Sequence, residues 1–198
     1  MLNQIGLNRF LLKTRRIFIF DDEICSDTAK SVVQQLKYLW IKSKEPIYIY
    51  INCFGGYTDD EAAILDEMAC IQESGGIITT ICQGKACSAA ADILCLGSPG
   101  KRFATKGSTM MMHNASTPLE NDKLASLKKT LSFYEWQQES INKRLAKACG
   151  KIGKQKYEKF CKDIEATVWL NPEEAKRFGL IDGIWTQEME NNINKVKK

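Results

Sequence analysis

Short apolar runs alternate along the chain with longer runs that carry an apolar residue every three or four positions. The short runs are typical of buried strands and the longer ones of helices. They predict strands at 16–20, 47–52 and 77–84, an extended segment at 102–113 that ends in a strand, and a short strand at the end of 171–184. They predict helices at 26–43, 59–74, 86–96, 122–149, 154–163 and in the first part of 171–184. This alternation predicts an α/β fold of repeated β-α units with a largely parallel, buried sheet.

Local signals mark the ends of several helices. Ser26 or Asp27 is the predicted N-cap of the first helix, and Pro172 suits the first position of a later one. The glycine pair 75–76 and Gly150 are predicted helix ends, because glycine readily adopts the backbone angles found there.

Length and composition are those of an ordinary globular protein, with 198 residues, 44% of them hydrophobic and 26% charged. We assign residues 10–186 to one domain, 1–9 to a short N-terminal segment and 187–198 to a flexible, basic C-terminal tail. The net charge is +4, and no basic stripe carries interleaved aromatic residues, so we expect no nucleic-acid partner. No apolar run has the length of a membrane span, so we expect no membrane association.

The cysteines favour a reducing compartment. None of the eight cysteines forms a C-x-x-C pair, and His113 is the single histidine, so we expect neither a metal site nor a cofactor. Small buried thiols fit the cytoplasm or an organelle of bacterial origin.

The first twenty residues lack acidic residues, as transit peptides do, but 17-IFIF-20 predicts a strand of the domain.

Ser88, in 84-GKACSAAADIL-94, is the first candidate for chemistry. A serine in an apolar run is commonly a core residue bonded to a nearby carbonyl. However, Ser88 and 54-FGG-56 each follow a predicted strand, where parallel sheets bind ligands. His113 ends the next strand and is the candidate general base. Backbone N–H groups at the glycine turn and after Ser88 could form an oxyanion hole. These residues indicate a hydrolase but leave a structural serine open.

Five motifs resemble those of the ClpP family, the proteolytic subunits of the Clp protease, between about residues 10 and 186. They are 11-LLKTRRIFIF-20, 51-INCFGG-56, 81-ICQGKACSAAADILCLG-97, 100-GKRFATKGSTMMMH-113 and 169-WLNPEEAKRFGLID-182. The second resembles I-N-S-P-G-G, and the third resembles I-C-x-G-x-A-x-S-M-x-A-x-L-L-x-x-G, with which it aligns without a gap. Their order and spacing match the family.

The resemblance implies a ClpP/crotonase-type fold and a serine endopeptidase that acts on unfolded polypeptides. It implies Ser88 as nucleophile, His113 as base, and backbone donors for the oxyanion at Gly55, Gly56 and Ala89. It further implies a barrel of two stacked seven-membered rings, joined through a protruding handle helix at 122–149. An unfoldase of the AAA+ class would feed this barrel.

The chain departs from the family at several positions. Thr167 stands where the family has the aspartate of the triad, so we expect reduced activity; Asp163 and Glu165 are out of register as replacements. Phe54 replaces the proline of the glycine turn, and Ala89 replaces a methionine. The segment 114-NASTPLENDK-123 has no glycine and contains Pro118, which predicts weaker pairing with a substrate strand. About ten residues precede the domain, which predicts weaker unfoldase docking unless another subunit supplies the pore loops.

Three alternatives remain open from the sequence. The chain could be an inactive structural subunit that assembles with an active paralogue, as Thr167 favours. A crotonase-type enzyme for acyl-thioesters would share the fold and the oxyanion hole. A serine–lysine mechanism would use Lys85, although nothing in the sequence prefers it to His113.

Overall fold

The structure, a computed structural model, describes residues 10–21, 23–116 and 124–195. The predicted N-terminal segment 1–9 and the last three residues of the predicted tail lie outside this part of the chain. The strands are β1 (Arg16–Ile19), β2 (Ile47–Cys53), β3 (Ile78–Cys87), β4 (Arg102–Ala104), β5 (Thr109–Met112), β6 (Val168–Leu170) and β7 (Gly183–Ile184). The main helices are α1 (Ser26–Lys42), α2 (Thr58–Glu73), α3 (Ala89–Cys95), α4 (Leu124–Ala148), α5 (Lys154–Glu165), α6 (Pro172–Phe178) and α7 (Gln187–Lys195).

The strands form one mixed sheet in the order β1-β2-β3-β4-β7, and β5 joins β3 to β6. Every pairing is parallel except that of β5 with β6. Isoleucines fill strands β1, β2 and β3 and are fully buried; they are Ile17, Ile19, Ile47, Ile49, Ile51, Ile78 and Ile81. Such runs suit a parallel sheet that helices cover on both faces, because β-branched side chains pack well on a pleated surface. The predicted α/β fold is confirmed.

β3 is longer than predicted, and the helix after it is shorter. The sequence placed a strand at 77–84 and a helix at 86–96, whereas β3 continues to Cys87 and α3 begins at Ala89. The strand bends at Gly84, whose φ is +115°. Before the bend β3 pairs with β4, and after it β3 pairs with β5. Small residues had suggested a helix, but the pairing with β5 keeps 85–87 extended.

Two side chains complete the hydrogen bonding at this bend. Ser108 Oγ accepts from Gly84 N at 3.3 Å and donates to the Cys82 carbonyl at 2.9 Å. Asn52 Oδ1 accepts from Lys85 N at 3.2 Å. A Cβ at Gly84 would lie 2.6 Å from Asn52 Oδ1, so only glycine fits here.

The prediction of a flexible tail at 187–198 is wrong for residues 187–195, which form α7. Glu190 of α7 accepts hydrogen bonds from Arg16 Nη2 at 2.8 Å, Tyr50 OH at 2.6 Å and Trp185 Nε1 at 3.2 Å. This carboxylate joins the helix to β1 and β2 in the sheet. The sequence did not reveal this helix, because the polar composition of the segment gives no sign that Glu190 accepts three hydrogen bonds from other residues of the fold.

The predicted helix ends agree with the structure except at the first helix. Cys25, rather than Ser26 or Asp27, is the N-cap of α1. Pro172 is the first residue of α6, behind an Asn171–Glu174 capping box. No helix in the described ranges is both long enough and apolar enough to cross a bilayer.

A buried ion pair connects two motifs that are far apart in the sequence. Arg102 donates to both carboxylate oxygens of Asp182, from Nε at 2.9 Å and from Nη2 at 2.6 Å. Its Nη1 also donates to the Ala148 and Gly179 carbonyls, both at 3.0 Å. The Arg102 guanidinium holds the pKa of Asp182 below its ordinary value despite the opposing effect of burial. This pair therefore fastens β4 to the ends of α4 and α6.

We expect Arg102→Met to lower the free energy of unfolding by about 3–5 kcal/mol, because it leaves Asp182 as an uncompensated, largely buried charge. Urea unfolding followed by circular dichroism measures this change. Lys143→Met, which breaks the exposed Lys143–Glu139 pair, is the matched control and should cost less than about 1 kcal/mol. Equal losses in the free energy of unfolding for the two variants would contradict the conclusion that the Arg102–Asp182 pair stabilises the fold.

Candidate active site

Ser88 occupies the sharp turn between β3 and α3. Its N–H donates to the Met111 carbonyl at 2.8 Å, while its own carbonyl accepts from Ala91 N at 2.7 Å and from Asp92 N at 3.1 Å. These bonds hold Ser88 at φ +54° and ψ −131°, a region that side-chain-bearing residues rarely adopt. The strain presents the hydroxyl at the strand end instead of burying it as in a core serine.

His113 directly follows β5 and reaches this hydroxyl. Its Nε2 lies 2.9 Å from Ser88 Oγ, the distance expected between a nucleophile and its general base. The parallel register of β3 and β5 brings the two residues together, since Cys87 pairs with Met111. In the tautomer that accepts the Ser88 proton at Nε2, Nδ1 carries a hydrogen that a third group could accept.

The glycine turn packs against the backbone of Ser88. A Cβ at Gly55 would lie 2.6 Å from the Cys87 carbonyl oxygen and 2.7 Å from Ser88 Cβ, so a side chain is excluded. Ile24 clamps the turn, donating to the Gly55 carbonyl at 2.6 Å and accepting from Tyr57 N at 2.9 Å. Within the described ranges, neither Gly56 N–H nor Ala89 N–H has an acceptor. Both donors are available to a developing oxyanion.

Thr167 lies beside His113 in register but does not bond to it. β6, which was not predicted, pairs antiparallel with β5, and Met112 stands opposite Val168. The next residues outward are His113 and Thr167. Among the described residues, no hydrogen bond joins the exposed Thr167 hydroxyl to His113. Thr167 has φ +61°, which is strained for a β-branched residue and easier for aspartate or asparagine.

Among the described residues, neither Asp163 nor Lys85 makes a hydrogen bond to Ser88 or His113. Asp163 accepts from Lys159 Nζ at 2.9 Å on α5 and therefore does not replace the missing third group. Lys85 Nζ lies over the Phe54 ring, 3.4 Å from its centroid, so this amine stacks on the residue that stands in place of the family proline. In the described part of the chain, no three metal-ligating side chains are grouped.

Comparison with known proteins identifies the family. The family model described as Clp protease matches residues 3–188. The chain belongs to the Clp protease family. The ATP-dependent Clp protease proteolytic subunit 2 of Prochlorococcus marinus (strain NATL2A) is 34% identical over 180 residues, covering 90% of this chain and 86% of that protein. Proteolytic subunit 1 of Bacillus cereus (strain ATCC 10987 / NRS 248) is 37% identical, over 88% and 86% of the two chains.

A third similar protein is the proteolytic subunit 3 of Synechococcus sp. (strain CC9605), 32% identical over 87% of this chain and 84% of its own. The architecture described above is accordingly that of the Clp protease family. The residues that hold the β3 bend lie in motifs already quoted for the resemblance, namely the Asn of INCFGG, the first Gly of ICQGKACSAAADILCLG and the Ser of GSTMMMH. The motifs could have located these residues, but only the pairing of the strands gives them a role.

Beneath this Clp-family site, two carboxyl groups meet in the interior. Glu61 of α2 is buried with Oε1 unpaired, and its carboxyl faces that of Asp92 on α3. Some of Asp92 is exposed, but its carboxyl is enclosed by protein, and this desolvation raises its pKa to about 7. Burial and then the Asp92 charge raise the pKa of Glu61 well above its ordinary value, and Arg144 of α4 only partly offsets this. The pair therefore shares a proton near neutral pH.

This pair predicts that stability falls as pH rises. The folded protein keeps the Asp92 proton up to about pH 7, whereas the unfolded chain releases it near its ordinary pKa of 3.8. Between these values Asp92 lowers the free energy of unfolding by up to about 1.4 kcal/mol per pH unit. Asp92→Asn should make this fall shallower between pH 5 and 7 in chemical denaturation, and the remaining slope would come from Glu61, whose pKa burial alone still raises.

The exposed Glu73→Gln variant of α2 is the control and should keep the wild-type slope. A slope that is the same in wild type and Asp92→Asn would mean that Asp92 is ionised throughout this range in the folded protein.

Proposed function

We propose that this chain is a serine endopeptidase subunit that hydrolyses peptide bonds of unfolded polypeptides, with activity reduced by the change at Thr167. The observation that carries the proposal is the 2.9 Å contact between His113 Nε2 and Ser88 Oγ at the start of α3. A core serine would bond to a backbone carbonyl instead. Membership of the Clp protease family supports the same reaction class.

The reaction proceeds in two halves. Ser88 Oγ attacks the peptide carbonyl carbon while its proton passes to His113 Nε2. The N–H groups of Gly56 and Ala89 bind the oxygen that becomes negative. His113 then gives its proton to the leaving amine, which departs and leaves an ester on Ser88. Water, deprotonated by His113, hydrolyses this ester and restores the free serine.

The assembly belongs to the same proposal. The relatives are named as subunits of ATP-dependent proteases. We extend this to a barrel of two stacked heptameric rings fed by an AAA+ unfoldase, in the cytoplasm or an organelle of bacterial origin. Helix α4 carries the exposed aromatic residues Phe133, Tyr134 and Trp136, which support a role as the handle between rings.

A structural subunit of a mixed barrel is the second candidate. The exposed Thr167 hydroxyl and the absence of a described partner on His113 Nδ1 favour it, because an unoriented imidazole is a poor base. The two candidates differ in whether Ser88 is activated, which can be measured directly.

Treatment with a fluorophosphonate should phosphonylate Ser88, since the Ser88 oxygen displaces fluoride only when His113 removes its proton. Peptide mapping by mass spectrometry locates the adduct. Ser88→Ala removes the acceptor, and His113→Asn should slow labelling by at least about a hundredfold. An assembled protein without an adduct on Ser88 would favour the structural subunit, and a repeat with a paralogous subunit would show whether a partner activates the site.

We expect Thr167→Asp to raise kcat/KM for short peptides by at least about tenfold, because a carboxylate beside His113 stabilises the imidazolium. Thr167→Asn is the matched control. Both variants suit the left-handed backbone at this position, but asparagine adds no charge. Similar rates for the two variants would show that charge at this position does not act on His113.

A further inference from the structure

Two of the cysteines are in contact in the core. Cys95 Sγ and Cys149 Sγ are 3.5 Å apart, and both residues carry free thiols. Cys95 is the last residue of α3, and Cys149 directly follows α4. A disulfide bond needs about 2.05 Å between the sulfurs, so they must approach by about 1.5 Å. No other two of the eight cysteine sulfurs are within hydrogen-bonding distance.

The surroundings make the two thiols unequal. The hydrogen bond between the two sulfurs and the nearby Arg102 guanidinium lower the pKa of Cys149, although burial opposes them. The same contact and burial raise the pKa of Cys95 well above its ordinary value. Arg102 Nη1 lies 4.0 Å from Cys95 Sγ and 3.3 Å from the Cys95 carbonyl oxygen. Cys149 is also the more accessible, at 6% exposed against 0% for Cys95. Cys149 is therefore the better nucleophile of the two.

We propose that Cys95 and Cys149 are a redox modification site that closes to an intramolecular disulfide when the protein meets hydrogen peroxide. The Cys149 thiolate attacks one peroxide oxygen, and the O–O bond breaks to give a sulfenic acid and hydroxide. The Cys95 sulfur then attacks the Cys149 sulfur, and the hydroxyl group leaves with the Cys95 proton as water. In total, two thiols and one peroxide give one disulfide and two waters. A small thiol such as glutathione reduces the bond again.

The cross-link would join the far end of the helix that follows Ser88 to the end of α4. The two cysteines are 54 positions apart, and the loop between them contains β4, β5 and His113. Closing a loop of this length restricts the unfolded chain and should raise Tm by up to about 10 °C. The Ser88–His113 contact lies at the opposite end of α3.

The test uses the full-length protein, treated with a modest excess of hydrogen peroxide and then blocked with an alkylating agent. The expected product is lighter by two hydrogen atoms before alkylation and yields a Cys95–Cys149 cross-linked peptide that dithiothreitol removes. Cys70→Ser removes the most exposed thiol and should behave as wild type, which excludes a cross-link through Cys70. Cys149→Ser and Cys95→Ser should each abolish the cross-link and the rise in Tm, and Cys95→Ala serves if serine disturbs the core.

The proposal is overturned if both thiols remain alkylatable after other cysteines are oxidised. It is equally overturned if the folded protein pairs either residue with a different cysteine, or if Cys149 passes to the sulfinic acid in wild type without a cross-link.

Discussion

The bend in β3 is the constraint on which the rest of the site depends. Residues 80–82 of β3 pair with β4, while residues 85–87 pair with β5. One strand therefore pairs with two different neighbours along its length. Where the strand diverges, some backbone N–H and C=O groups have no partner in a neighbouring strand. The side chains of Ser108 and Asn52 provide these missing hydrogen bonds. The opening created at the fork is where parallel sheets commonly bind ligands. Ser88 ends one arm of this fork, and His113 ends the strand beside it.

Backbone pairing therefore sets the distances in the site before any catalytic side chain contributes. Ser88 donates its N–H to Met111, and β6 carries Thr167 to the same level as His113 through the pairing of Met112 with Val168. Changing the third side chain leaves this frame in place. That explains how a chain without the aspartate can retain a 2.9 Å contact between Ser88 and His113. Geometry and charge are separable here, because strand pairing keeps Thr167 level with His113 although Thr167 carries no charge and, among the described residues, makes no hydrogen bond to the imidazole.

The sequence predicted the α/β order, the isoleucine-rich strands and a Ser88–His113 pair, because these depend on local periodicity and on contiguous motifs. The sequence-based prediction failed where the conformation of a segment depends on residues far away along the chain. The three residues 85–87 look helical until β5 pairs with them, and α7 looks like a solvated tail until Glu190 meets Arg16 and Tyr50. The ion pair between Arg102 and Asp182 joins two motifs that are eighty positions apart. Spacing along the chain carries no information about such contacts.

Helix α3 shows why those distant contacts matter for the site. Seven residues are too few for a stable isolated helix, so its position depends on what holds it. Ser88 fixes its start to β5, Asp92 meets Glu61 of α2, and Cys95 meets Cys149 at the end of α4. The Asp92–Glu61 contact joins two titratable groups in the interior, and the Cys95–Cys149 contact joins two oxidisable ones. In the interior, the gain or loss of one proton or one bond has a large energetic effect. The Ala89 N–H and the strained Ser88 lie at the start of this helix, and so the proposed oxyanion hole is connected to α2 and α4 through the buried contacts of α3.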